Sequence, residues 1–470
     1  MSKYLTKAIL VKVFVLQLIV SVACRRSLEP APPISSITTE KVFIDDKSAV
    51  SAVNGIYSKM NDDLNISSFD FCNRGITVLT GLSSDELTPG GVNPSLNQFL
   101  RNDLMKDNGY ILYLWQRAYA FLYQINMCIE GLENSKSLSE NTANQLVGET
   151  LFLRAFIHFY LFNLYGDIPI ATTSDWRTNS QLGRSSQEMV YGQILKDLTK
   201  ADSLLPVEYP TAERVRPNKF AAQFLLARVY LFVGDWDKSR FFADKLISTN
   251  FYLLEDDLNN VFKKNSKESI LQFKPLDLDP YATMEGNTFF IENADNGFNY
   301  NFFLTDKLLN SFDLSDKRKQ TWIGTVERES QHFYFPAKYK IKYGQPGSID
   351  EYYVVFRYAE LFFIRAESNA RMNQLSMALD DLNRIRLRAG LPVKNVIDDS
   401  EELLKELASE KRKEFFSEWG HRWFDLKRWG FGKSILELSK GTINNFYFLY
   451  PIPAAELLVN PNIKQNPGYN

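Results

Sequence analysis

Long blocks of this chain place apolar residues at spacings of three and four, with polar residues filling the positions between. That period buries one stripe of an α-helix and leaves the rest to water. It predicts helices over Asp46 to Met60, Tyr110 to Glu130, Asn144 to Leu164, Ser186 to Leu204, Asn218 to Val233, Trp236 to Ser248, Glu351 to Arg371, Ser376 to Arg388 and Ser400 to Trp419. Strand-like alternation is short and scattered by comparison. The helical period lapses over Ser67 to Asp107 and again over Leu271 to Asp350, where Asn, Asp, Gly and aromatic residues collect. Both stretches are expected as loops, the second as an irregular subdomain.

Two helical pairs repeat one design. Leu226, Ala227, Tyr230, Gly234, Asp235, Trp236, Ser239 and Ala243 follow the tetratricopeptide pattern, with the small residues Ala227 and Ser239 where two antiparallel helices must touch. Ala366 and Ala378 stand twelve residues apart, as Ala227 and Ser239 do, and Leu375, Leu379, Leu382 and Ile385 form an apolar stripe beside them. The expected fold class is all-α dominated, with tetratricopeptide-like helical pairs and an irregular loop-rich subdomain. Repeat helices bury faces before they recognise anything, so the pairs alone imply packing.

The first residues follow another pattern. Lys3 and Lys7 precede an apolar run from Ala8 to Val20, then Ser21 and Ala23, which reads as an export signal. The run is interrupted by Lys12 and Gln17 and is short of the ~20 residues that cross a bilayer. Cys24 stands where a bacterial lipoprotein signal is cut, and acylation there would supply the several chains that stable anchoring takes. Ser21 occupies the place where such signals usually have leucine, and an ordinary secretory signal is the alternative. Pro30, Pro32 and Pro33 favour an extended tether. The expected division is a signal peptide at 1–23, a lipidated tether at 24–40 and a body at 41–470. Within the body, a helical scaffold takes 41–270 and 351–430, a loop-rich insert 271–350 and a closing segment 431–470.

Composition narrows the chemistry. Among 470 residues, 54 basic and 56 acidic side chains leave a net charge of −2, without the basic excess that a phosphate backbone calls for, so nucleic acid is not an expected partner. No cysteine or histidine spacing suits a metal, and His158, His332 and His421 are scattered, so neither metal nor cofactor is expected. Cys72 and Cys128 can pair in an oxidising compartment, but Cys128 falls in a helical apolar pattern and reads as a small core residue. Nucleophile-elbow, phosphate-loop and zinc-helix motifs are lacking. Glu410, Glu414 and Glu418 make an acidic stripe at four-residue spacing near Arg422, Lys427 and Arg428, expected as an ion-paired face. Trp419, Trp423, Phe424 and Trp429 beside it are expected in the core.

Five blocks in order resemble the SusD/RagB family of bacterial outer-membrane nutrient-binding lipoproteins. They are SLEPAPP after Cys24, LFLRAFIHFYLFNLYGDIPI (Leu151 to Ile170), VFRYAELFFIRAESNARM (Val355 to Met372), EKRKEFFSEWGHRWFDLKRWG (Glu410 to Gly430) and YPIPAAELLVNPNIKQNPGY (Tyr450 to Tyr469). The resemblance implies a helical fold with tetratricopeptide-like pairs, and a protein that captures nutrients, usually glycans, without catalysis. It also implies a SusC-type TonB-dependent transporter as partner, and an outer-membrane, lipid-anchored location facing the cell exterior. Arg25 and Arg26 stand where an acidic surface-export signal is expected. A peptide-binding member of the same family is one alternative, and a glycan-active hydrolase using Asp85 and Glu86 another.

Sugars present apolar ring faces edged with hydroxyls, so a glycan site pairs exposed aromatics with amide or charged groups. Off the expected helices, one region supplies Asp85, Glu86, Asn93, Asn97 and Gln98, and another Tyr281, Asn296, Phe298, Asn299, Tyr300, Trp322, Phe333 and Tyr334. From these, Trp322, Tyr300, Tyr334, Asp85 and Asn93 are the expected ligand-binding residues, with burial in a small local core the competing role for the aromatics and capping or turn formation for Asp85.

Overall fold

The computed structural model describes residues 42–61, 69–276, 282–293, 298–345, 347–442 and 448–469. The expected export signal, Cys24 and the tether lie outside the described residues. The longer helices are α1 (Asp46–Asn61), α2 (Ile76–Ser83), α3 (Pro94–Arg101), α4 (Gly109–Asn134), α5 (Glu140–Tyr165), α6 (Gln187–Leu204), α7 (Lys219–Val233), α8 (Trp236–Ile247), α9 (Ala359–Arg371), α10 (Leu375–Arg388), α11 (Ser400–Phe415), α12 (His421–Arg428) and α13 (Gly432–Lys440). Six short strands join them: β1 (Leu87–Pro89), β2 (Ser269–Phe273), β3 (Phe302–Leu304), β4 (Ile323–Arg328), β5 (Gln331–Pro336) and β6 (Tyr353–Arg357).

From α4 to α10 each helix packs on the next along the chain. α5 lies at the centre: it is buried on every side from Gly148 to Tyr165, as an all-round apolar helix must be. The α7–α8 hairpin shows how the sequence makes one pair. Asn218 caps α7 by accepting from the Ala221 N–H at 3.1 Å, Gly234 turns the chain at φ +81°, and Asp235 accepts from the Lys238 N–H at 3.1 Å to start α8. Ser239 Oγ then donates to the Ala227 carbonyl at 3.0 Å, a contact that only small residues at the crossing permit. In α9 and α10, Ala366 and Ala378 are likewise fully buried, and Asn373 takes the left-handed turn at φ +60°.

The large excursion between α8 and α9 interrupts this stack. β2 and β6 pair antiparallel and both are buried in the main core. The helix expected over Glu351 to Arg371 is therefore a strand followed by α9: the β-branched and aromatic run Tyr353–Arg357 pairs across the sheet, and a short apolar run carries no period that separates strand from helix. The described part of Ser67 to Asp107, expected as loops, holds a kinked turn over 71–75, where Asn73 is extended and Arg74 takes φ +43°, followed by α2, β1 and α3. α2 is buried on all sides, so its sequence shows no polar face. The helix expected to reach Trp419 ends at Phe415, because Ser417 and Trp419 take left-handed backbone angles of φ +53° and +45°.

What remains of the irregular subdomain is small. β1 pairs antiparallel with β3, and β4 with β5 as a hairpin. Ile291, Phe298, Phe303, Phe335 and Ala337 form a satellite core separate from the main one. In the closing segment Asn466 Nδ2 donates to the carbonyls of Tyr165 and Tyr450, both at 2.8 Å. Among the described residues no helix is long and apolar enough to cross a membrane.

Candidate functional site

Two loops and a hairpin meet over the satellite core. The Phe298 ring lies 4.9 Å from Phe333 and 5.0 Å from Phe303, and the Arg328 guanidinium sits 5.3 Å over it. The loop after β1 closes against the same turn. Gly90 N–H donates to Asn301 O at 2.9 Å, and a Cβ at Gly91 would stand 2.6 Å from Asn299 Cα, an approach that only glycine allows. Asn301 N–H donates to Phe298 O at 3.0 Å and closes the turn that carries Tyr300. Tyr300 is 76% exposed at its tip. Along β5, Phe333 and Phe335 turn inward, while His332 and Tyr334 turn outward opposite Glu327 and Thr325. Tyr334 is 37% exposed. Phenol rings are thus available for stacking beside polar neighbours, the combination a sugar needs.

The other expected contact residues belong to the scaffold of this face. Asn93 is the N-cap of α3: its Oδ1 accepts from the N–H groups of Ser95 and Leu96 at 3.0 and 3.1 Å, and its Nδ2 donates to Tyr110 Oη at 3.3 Å. Asp85 is 3% exposed, held by Arg422 through paired bonds of 2.8 and 3.0 Å and by Arg412 at 2.9 Å. Burial pushes its carboxyl up, but the two guanidinium groups outweigh that and hold it at about 2. Thr305 fastens β3 to this floor by donating to the carbonyls of Asp85 and Glu86. Asp85 is therefore neither the expected ligand contact nor a cap. It is the pin that anchors β1 and the loop bearing Gly90 and Gly91.

Trp322, expected as a stacking platform, is 1% exposed. Its ring meets Phe262 edge-on at 5.6 Å, the Lys338 ammonium lies 4.9 Å over it, and its Nε1 donates to Leu258 O at 3.1 Å. It belongs to the main core, not the satellite one. Tyr281 and Asn296 lie outside the described residues.

The acidic stripe is ion-paired, by Lys413 on Glu410 at 3.3 Å and otherwise by side chains from other elements, not by Arg422, Lys427 or Arg428. Arg318 joins Asp316, Glu410 and Glu414; Arg357 joins Glu414 at 2.6 Å and Glu418 at 2.8 Å; Arg388 bridges Glu268 and Glu414. Burial raises the Glu414 carboxyl, yet three arginines outweigh it and hold the group well below the usual carboxylate range. Glu418 lies beyond the end of α11, so only Glu410 and Glu414 share its helical face. Of the basic neighbours, Arg422 serves Asp85, Arg428 serves Glu367 and Asp425, and Lys427 donates to Asn163 O at 2.7 Å. Trp419, Trp423 and Phe424 are buried, as expected. Cys72 and Cys128 are both buried and unpaired. Among the described residues, no group of three or more His, Cys, Asp or Glu is arranged to hold a metal ion.

Sequence inspection missed the outward stripe of the β4–β5 hairpin, with Thr325, Glu327 and His332. Its signal was the alternation in Gln331–Pro336, where the inward positions are Phe333 and Phe335.

Comparison with known proteins places this geometry. A family profile described as starch-binding associating with outer membrane matches residues 84–231, and the SusD family profile matches residues 310–447. SusD-like protein P2 of Formosa agariphila is 27% identical over an alignment covering 97% of this chain and 99% of its own length. Starch-binding protein SusD of Bacteroides thetaiotaomicron is 35% identical over 123 residues, 24% of this chain and 21% of its own. A SusD superfamily protein from Bacteroides vulgatus superposes with TM-score 0.80 at 23% identity, over 91% of this chain and 100% of that one. Surface glycan-binding protein A from Bacteroides thetaiotaomicron, solved with laminarihexaose, has the same fold at TM-score 0.76 and 18% identity, over 90% of this chain and 99% of its own.

Proposed function

The chain belongs to the SusD/RagB family, and from that premise we propose that it is a non-catalytic glycan-binding lipoprotein of the outer membrane. It captures an oligosaccharide at the exposed rings of the excursion, Tyr300 on its turn and Tyr334 on the outward side of the β4–β5 hairpin, and delivers it to a SusC-type TonB-dependent transporter, while acyl chains on Cys24 hold it at the cell exterior. One observation carries the glycan site: Tyr300, the most exposed tyrosine among the described residues of the excursion, stands at the tip of a turn clamped by Gly90 and Gly91. A ring held out to solvent on a fixed backbone is ready to stack on the apolar face of a sugar without first being ordered. The family description's association with the outer membrane and the neighbour solved with laminarihexaose support the location and the ligand class.

The charge pattern supports binding without bond cleavage. Glu410, Glu414, Glu418 and Asp85 are all engaged by arginine or lysine side chains in the interior, where none of them meets a substrate. Calorimetric titration of the full chain against laminarihexaose, maltoheptaose and a peptide panel tests this function. The expected result is saturable binding of one glycan class with the sugar recovered intact. Time-dependent cleavage makes the protein a hydrolase, and binding of peptides alone replaces the glycan with a peptide ligand.

A further inference from the structure

Away from the Tyr300 face, two cavities meet at Arg216. The larger, about 630 Å³, runs between the first turns of α5 and the connection after α6; the smaller, about 340 Å³, runs along the outer side of α1 toward the segment after β2. The larger is of the size that small-molecule sites take, roughly 300–1,000 Å³.

Their walls are fixed to each other. Asp46 in the first turn of α1 accepts from Ser139 N–H and from Thr142 Oγ1, both at 2.9 Å, tying α1 to the start of α5. About three turns further along α1, Tyr57 Oη donates to Glu149 Oε2 at 3.0 Å, and Arg216 grips the same carboxylate through Nε at 2.9 Å and Nη2 at 2.7 Å. A groove whose walls are held at both ends loses little entropy when it binds.

Among the polar groups facing the space, three amides are uncommitted. Asn54, Asn141 and Asn144 line it without a side-chain hydrogen bond to any described residue, and Thr211 Oγ1 is buried there without a partner. The cations are already matched: Arg216 by Glu149, Lys274 by Glu213 at 3.3 Å. An anion therefore finds no free charge. Pro206, Pro210 and Pro275 add apolar faces, and the larger cavity is walled by helices and a turn-rich connection with no strand edge for an extended peptide to pair with. Amides that both donate and accept, next to flat apolar rings, match a hydroxylated and uncharged chain.

We propose that this joined groove is a second carbohydrate site, which takes a neutral oligosaccharide independently of the Tyr300 face. It extends the proposed glycan capture to another part of the molecule. Hydrogen exchange of the full chain in saturating laminarihexaose and, separately, maltoheptaose tests it. At least one sugar is expected to slow exchange several-fold in residues 205–216, and the Asn54→Ala/Asn144→Ala variant is expected to lose that protection while keeping its melting temperature. No slowing in 205–216 with either sugar overturns the groove, as does slowing that survives in the variant. Protection of residues 89–93 and 298–301 in the same experiment reads the Tyr300 face separately, so either site can fail without the other.

Discussion

Tyr300 and Trp322 show what a single side chain's environment decides. Both stand in the same aromatic-rich stretch, and nothing local distinguishes them. The distinction comes from contacts far along the chain: Trp322 is enclosed by Leu258, Phe262 and Lys338, whereas Tyr300 stands between Asn299 and Asn301, whose backbones the glycine loop holds. Trp322→Ala is expected to cost about 3–5 kcal/mol of stability, the range for emptying an aromatic core site, without changing glycan affinity in the folded fraction. Thermal unfolding and calorimetry on one preparation check both halves; weakened binding at unchanged stability would return Trp322 to the site. Glu86 is a second case. Burial raises its carboxyl to about 7 against the opposing pull of Arg412, and its Oε1 has no hydrogen-bond partner. Its folded value lies above the unfolded 4.5. Below the unfolded value the proton is held in both states and costs nothing. As pH rises toward 7 the unfolded chain ionises first, so stability drains away over that window by up to about 3 kcal/mol. Glu86→Gln is expected to gain on the parent in melting temperature from pH 4.5 to 7.5; a gap that stays constant across that range contradicts the assignment.

Among the elements, the stack from α4 to α10 was legible because its caps, small crossing residues and apolar stripes agree with one another. Gly234 and Asp235 mark one turn in the sequence as plainly as in the fold. β6 and α2 were not legible, since both are buried all round and a buried run has no polar face to reveal its period. The candidate site was legible in part for the same reason. Tyr300 and Tyr334 were found as exposed-type aromatics in a polar stretch; the cap at Asn93 rests on the adjacent Ser95 and Leu96 N–H groups and is a local signal, whereas the pin at Asp85 depends on Arg412 and Arg422, which no local pattern joins to it. The clamp between the loop after β1 and the 298–301 turn gives the site its shape. Gly91→Ala places a Cβ against the Asn299 backbone, which cannot yield as a side-chain tip can. It is expected to cost about 1–3 kcal/mol in stability and to weaken glycan binding by displacing Tyr300, with calorimetry as the check. Undiminished affinity would detach the turn from the ligand.

In the molecule as a whole, a layered helical scaffold holds a small aromatic subdomain outward, and a buried web of arginines and glutamates joins α10, α11 and β6 beneath it. That web accounts for the acidic stripe without catalysis. In the proposed function Cys24 carries the lipid anchor, so Cys24→Ala is expected to release the protein into the soluble fraction; a variant that still sediments with membranes is held by something else. The most direct test of glycan capture at this face compares the parent with the Tyr300→Ala/Tyr334→Ala variant in calorimetric titration with the glycan that the parent binds. Loss of at least about tenfold in affinity, some 1.4 kcal/mol, with an unchanged melting temperature is the expected result. Equal affinity in the two proteins would contradict it and move the ligand elsewhere on the molecule.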